Sequence, residues 1–158
     1  MQVSENFDLN DKKFMEEAVK LAFKAFRSGD VPVGAVVVKE GEIIGRGFNK
    51  KELTSDASAH AEMLALQEAA KYLGDWRLNS CALYSTTEPC IMCSGAILHF
   101  RISEIVFGVR EPKFGGVLSN VNLFDLDTLN HRVKYRYGLK SELITRLMKD
   151  FFRKIRDS

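Results

Sequence analysis

Two short motifs hold the residues of this chain whose types and spacing suit chemistry. His60-Ala61-Glu62 is followed, 27 residues after the glutamate, by Pro89-Cys90-Ile91-Met92-Cys93. An imidazole and two thiolates satisfy three corners of a tetrahedral Zn²⁺ site and leave the fourth to water. Water held there loses its proton near neutral pH, so hydroxide becomes available as a nucleophile. Glu62 is not needed as a ligand and is the candidate proton shuttle. Hydrolytic removal of an amine from an aromatic ring needs hydroxide at the carbon bearing the amine, a proton for the ring nitrogen and another for the departing ammonia. The pairing of H-x-E with P-C-x-x-C supplies each of these parts.

Two plainer uses of the same residues compete with this reading. A structural zinc needs a fourth ligand, and Cys81, His99 and His131 are the other Cys and His residues of the chain. Cys81 sits in an apolar strand and reads as a buried thiol; His99 ends a helix and His131 follows a loop. A redox Cys-x-x-Cys is the other use, and it leaves the H-x-E unexplained.

The elements that must bring these residues together can be read from periodicity. Residues 43 to 48 and 81 to 86 read as strands, each leading to a helix whose first turn carries part of the motif. If the two strands run parallel, both helix starts lie on one carboxyl edge of the sheet, where open α/β folds place ligands. Cys90 and Cys93 lie one helical turn apart, and Pro89 suits a helix start. A helix N-terminus also favours thiolate. His60 and Glu62 would diverge inside a helix, so they can converge only at its end.

Around this core, Asn10 is the expected cap of a first helix ended by Ser28-Gly29-Asp30. Val33 to Val38 pair with 43 to 48 across Gly41 as a hairpin. Ala61 to Tyr72 form a helix stopped at Gly74-Asp75, and the cysteine helix runs to about Phe100. Glu104 to Val109 form a strand, residues 111 to 130 a long loop with short helical turns, Val133 to Tyr137 a final strand and Ser141 to Ile155 an amphipathic helix. Five strands in a mixed sheet with helices on both faces predict an α/β protein, a three-layer α/β/α sandwich forming one domain over residues 1–158.

Composition agrees with one folded enzyme domain. At 158 residues and 46% hydrophobic content, the chain can bury a core without disulfides. Three cysteines, two of them committed to metal, point to a reducing cytoplasm. No leading apolar segment reads as a signal peptide and no run reaches membrane-spanning length. The net charge of +2 is unevenly spread: residues 1 to 130 hold 14 Lys/Arg against 18 Asp/Glu, whereas residues 131 to 158 hold 9 against 3. That tail reads either as a phosphate-facing surface or as a solvated basic face. Arg132, Lys134 and Arg136 share one face of the last strand, and Lys149, Arg153, Lys154 and Arg156 stud the last helix. Phe151 and Phe152 are adjacent and cannot both point inward, which leaves one for stacking or an interface.

Beyond the zinc motif, several segments resemble the bacterial tRNA adenosine deaminase family. They are Val31-Pro32-Val33-Gly34-Ala35, Gly47-Phe48-Asn49, Ala59-His60-Ala61-Glu62, Thr87 through Ala96, Val106-Phe107-Gly108, Asn130-His131-Arg132-Val133 and Asp150-Phe151-Phe152-Arg153. The resemblance runs in order through nearly the whole chain after the first helix. It implies conversion of adenosine to inosine at the wobble position of a tRNA anticodon, by zinc-bound hydroxide with Glu62 as the shuttle, in a homodimer. By position, His60, Cys90 and Cys93 would hold zinc. Asn49 would bond the flipped base, although on its own it also reads as a turn residue. Val33 and the Ala61 N–H would shape the base pocket, and Glu88 would order the turn before Cys90. Glu111 and Lys113 fall in the family's nucleic-acid-contacting loop, and Phe152 and Arg153 in its C-terminal motif. Glu111 stands where Asp is more usual, and Phe100, Phe114 and Gly116-Val117-Leu118 depart from the commoner pattern.

Two other functions fit the same motifs. One is a zinc deaminase of the same superfamily acting on a free base or nucleoside of the guanine or cytosine type, which would not need the basic tail. The other is a non-catalytic RNA-binding subunit with a structural metal, which would have no use for Glu62.

Overall fold

A computed structural model describes residues 6–158. Of the single domain expected over 1–158, residues 1 to 5 lie outside the described residues. The first helix, α1, spans Leu9–Arg27. Its N-cap is Asp8, not the expected Asn10: the Asp8 carboxylate accepts the Asp11 N–H at 2.7 Å and Asp11 accepts the Asp8 N–H at 3.1 Å. This reciprocal capping box satisfies two backbone donors, whereas a cap at Asn10 would satisfy one.

Strands β1 (Gly34–Lys39) and β2 (Glu42–Phe48) form the expected hairpin, turning through Glu40 and Gly41 at φ 50° and 78°. Positive φ at both turn positions matches the right-handed twist of the flanking strands. A short helix α2 (Lys51–Thr54) follows, then α3 (Ala61–Leu73), β3 (Cys81–Thr87), α4 (Ile91–His99), β4 (Glu104–Val109), β5 (Lys134–Tyr137) and α5 (Ser141–Arg156). The long loop between β4 and β5 holds one 3₁₀ turn at Leu123–Asp125.

The sheet order is β2-β1-β3-β4-β5. Strand β1 is antiparallel to both of its neighbours, while β3, β4 and β5 run parallel. It follows that β2 and β3 point the same way and that their carboxyl ends share one edge. Alternation along each strand divides the core. Val36, Val38, Tyr84 and Val106 pack against α1 and Ile144 of α5, whereas Ala35, Val37, Leu83, Ile105 and Phe107 pack against α3 and Ile97 of α4. This is the three-layer sandwich with a five-stranded mixed sheet that the pattern predicts.

Gly47 has a particular part in placing the site. A Cβ there would run into the carbonyl of Ala61, so only glycine lets the first turn of α3 lie directly on β2. That contact sets His60 and Glu62 at a fixed height above the sheet edge.

Candidate active site

His60 and Cys90 are the N-cap residues of α3 and α4, both with extended backbone, at φ −81°, ψ 150° and φ −69°, ψ 176°. Helix α4 begins at Ile91, two residues later than a proline at its first position would give, with Pro89 just outside it. His60 Nδ1 lies 3.6 Å from the Sγ of Cys90 and 3.6 Å from that of Cys93. The three donor atoms all lie within 4.8 Å of one another, and among the described residues no other group of three His, Cys, Asp or Glu converges in this way. One imidazole and two sulfurs, at two helix N-termini, fit a Zn²⁺ ion with an open position. Cys81 and His99, considered above as further ligands, lie elsewhere: Cys81 is buried in β3 and His99 is exposed at the end of α4. The ring Nε2 of His131 is 2.7 Å from the Ile102 carbonyl, so it ties the loop before β5 to the start of β4.

Electrostatics around the triad divide the protons unevenly among its three donors. The hydrogen bond from Cys93, and then that with His60, holds the Cys90 thiol down at about 4. The bond to Cys90 and burial push the Cys93 thiol up, and the Cys90 bond raises His60. A dication in the cage replaces both protons. Glu62 sits in the first turn of α3, is 3% exposed, and has its carboxyl pushed up to about 7, mainly by burial.

His60, Glu62 and Cys90 line a cleft of about 580 Å³, with Cys93 buried behind them. Val33, Asn49, Glu111, Lys113 and Phe152, named above as substrate-binding candidates, line it. Asn49 is buried, and its Oδ1 accepts the Ala61 N–H at 2.8 Å. The Ala61 amide is therefore spent on orienting Asn49, and no atom of Ala61 lines the cleft. Several lining residues escaped sequence reasoning, among them Lys51, Val31 and Met148. Lys51 lies on α2, a helix too short to leave a periodic signal; Val31 precedes β1; and Met148 sits in an apolar stripe of α5 that reads as core.

A second groove of about 470 Å³ shares Thr87, Glu111, Met148 and Phe152 with the cleft and adds Arg110, Lys149, Arg153 and Arg156. The adjacent phenylalanines divide as their spacing requires: Phe151 is 4% exposed and Phe152 is 49% exposed, their rings 5.3 Å apart and edge-on. Arg136 does not join the basic surface expected of the last strand. Its guanidinium is 3.0 Å from the carboxylates of both Asp11 and Glu104, so it is neutralised inside the fold.

Comparison with known proteins agrees with this geometry. A family model described as MafB19-like deaminase matches residues 9–156. The tRNA-specific adenosine deaminase of Aquifex aeolicus (strain VF5) is 47% identical over 145 residues, which cover 92% of this chain and 95% of that protein. A solved structure from work on A-to-I editing by tRNA deaminases at the wobble position superposes with TM-score 0.83 at 37% identity, covering 85% of this chain and 98% of that one. The guanine deaminase of Bacillus subtilis matches at TM-score 0.60 and 40% identity over 63% of this chain and 64% of its own. With a His-Cys-Cys metal site, a buried carboxylate beside it and likeness along nearly its whole length, the chain is a MafB19-like deaminase that belongs to the tRNA-specific adenosine deaminase family.

Proposed function

We propose that the protein hydrolytically deaminates adenosine to inosine at the wobble position of a tRNA anticodon. The observation that carries this reading is the position of buried Glu62 beside a three-donor metal site, in a cleft that opens into a groove lined by Arg110, Lys149, Arg153 and Arg156. His60, Cys90 and Cys93 would hold one zinc ion per chain, which when bound would supply Lewis-acid activation of the attacking water. Glu62 takes a proton from the attacking water at a carboxylate oxygen and gives it to the ring nitrogen beside the reacting carbon. It then takes the second proton from the new hydroxyl and gives it to the amine, which leaves as ammonia as the C–N bond breaks and the carbonyl forms.

Asn49 binds the base through Nδ2, since its Oδ1 is held by the Ala61 amide. Val33 supplies an apolar wall, Phe152 a stacking face, and Glu111 and Lys113 stand at the mouth. The basic groove takes the phosphates on either side of the flipped nucleotide. The protein forms a homodimer, a reading supported by Ile91, Met92 and Phe114, which lie exposed at the cleft rim. The residues form one domain and work in the cytoplasm, where thiolate ligands stay reduced; no helix among the described residues is long and apolar enough to cross a membrane. Zinc-loaded protein incubated with an anticodon stem-loop RNA tests the reading. Inosine confined to the wobble adenosine, read as guanosine on reverse transcription, is the expected result, and an unchanged wobble adenosine would refute it.

A further inference from the structure

Glu88 lies two residues before Cys90 and takes no part in the chemistry above, yet its buried carboxylate is saturated with donors. Oε1 accepts the Glu111 N–H at 3.0 Å and the Ser119 hydroxyl. Oε2 accepts the N–H groups of Val117 at 3.2 Å, Leu118 at 2.9 Å and Ser119 at 2.9 Å. Four backbone donors thus converge on a side chain that is 2% exposed. An ionised carboxylate is acceptor-only and suits this cluster, whereas an amide would turn an NH₂ toward at least one N–H.

The segment tied down in this way is also stitched to the metal-site strand end. Ile91 donates its N–H to the Phe114 carbonyl at 3.0 Å, Gly116 donates to the Pro89 carbonyl at 2.9 Å, and Gly115 bridges Cys90. The close approach needs glycine, because a Cβ at Gly115 would run into the Glu88 carboxylate. Between these anchors, Glu111, Lys113 and Phe114 form one wall of the cleft.

We propose that Glu88 is a positioning residue for substrate, its carboxylate fixing the Glu111-to-Phe114 wall at a set place relative to the Cys90 end of the metal site. This rests on the deaminase reading above. The mechanical consequence is specific: loss of the carboxylate frees the wall while the metal donors, carried by the N-cap of α3 and by the N-cap and first turn of α4, stay in place. A freed wall weakens the hold on an extended substrate more than it slows the reaction of a nucleotide already bound.

The test compares wild type with Glu88→Gln and with Gly115→Ala, which pushes the segment off an intact carboxylate. For each zinc-loaded protein, zinc content, amide hydrogen exchange and KM and kcat on an anticodon stem-loop RNA are measured. Both variants are expected to keep zinc and to lose protection at the amides of 111, 117, 118 and 119. KM should rise at least about tenfold, in line with stranding buried donors, with kcat changed by less than about threefold. A zinc-loaded variant with wild-type KM, or with those amides still protected, overturns the proposal. So does loss of zinc together with activity, which would make Glu88 part of the metal cage. Failure of the deaminase reading shows separately, as wild-type protein inactive on the RNA.

Discussion

His60 and Cys90 occupy the same structural position in successive helices: each is an N-cap, and His60 Nδ1 stands 3.6 Å from Cys90 Sγ. Because β2 and β3 run in the same direction, the loops after them meet at one sheet edge, and residues 30 apart in sequence become a single donor set.

Removing a ligand and removing the shuttle should give different phenotypes. Cys90→Ala and Cys93→Ala are expected to lose zinc and activity together. Glu62→Ala should keep about one zinc per chain and lose turnover by ~10² to 10⁴. Metal content by atomic absorption beside single-turnover rates separates the two, and a zinc-free Glu62→Ala protein would make the carboxylate a ligand.

Asn49 presents one half of its amide to the Ala61 N–H and keeps the other for the cleft. Asn49→Asp preserves the bond to Ala61 but replaces the free donor with an acceptor. It should retain zinc and lower kcat/KM on RNA by about 10- to 100-fold, the effect of one misplaced buried hydrogen bond. Activity within twofold of wild type would return Asn49 to the role of a turn residue.

Acid stability should carry the signature of Asp11. Burial raises its carboxyl, but hydrogen bonds from Arg136, Tyr84 and the Asp8 backbone outweigh burial and hold it at about 2, against 3.8 unperturbed. A folded-state value below the unfolded one stabilises the protein at pH above about 4 and loses that contribution as pH falls toward 2, a span of ~2 kcal/mol. Asp11→Asn should therefore be less stable than wild type at pH 7. The gap should narrow between pH 4 and 2 in denaturant titrations; a gap independent of pH would show that the ion pair carries no net stability.

The groove beside the cleft should be read by salt. Neutralising Lys149, Arg153 and Arg156, which line that groove, is expected to weaken RNA binding and flatten its dependence on salt, because fewer counterions are released. Phe152→Ala should weaken binding by ~1 to 3 kcal/mol without changing that slope, and its half-exposed ring predicts little loss of thermal stability. A large fall in melting temperature with unchanged affinity would make Phe152 a packing residue.

The metal site was legible because its residue types admit few other uses and because the strand-to-helix spacing forces them to one edge. Elements with strong periodicity were equally legible, within one or two residues at their ends. What escaped depends on contacts that no local pattern encodes. Arg136 alternates correctly with its basic neighbours, yet its partner Asp11 lies 125 residues away on α1. Lys51 belongs to a helix of 4 residues, below the length at which a 3.6-residue period can register. Asp8 and Asn10 are both good caps, and only the reciprocal Asp8–Asp11 bonds decide between them.

Ammonia release by one zinc-loaded preparation, offered a matched panel of anticodon stem-loop RNA, free adenosine, guanine and cytosine, tests the central claim most directly. Release from the RNA with its wobble adenosine, far faster than from any small substrate, is the predicted result. Ready release from guanine or cytosine with none from the RNA would contradict it and would assign the same zinc chemistry to a free base.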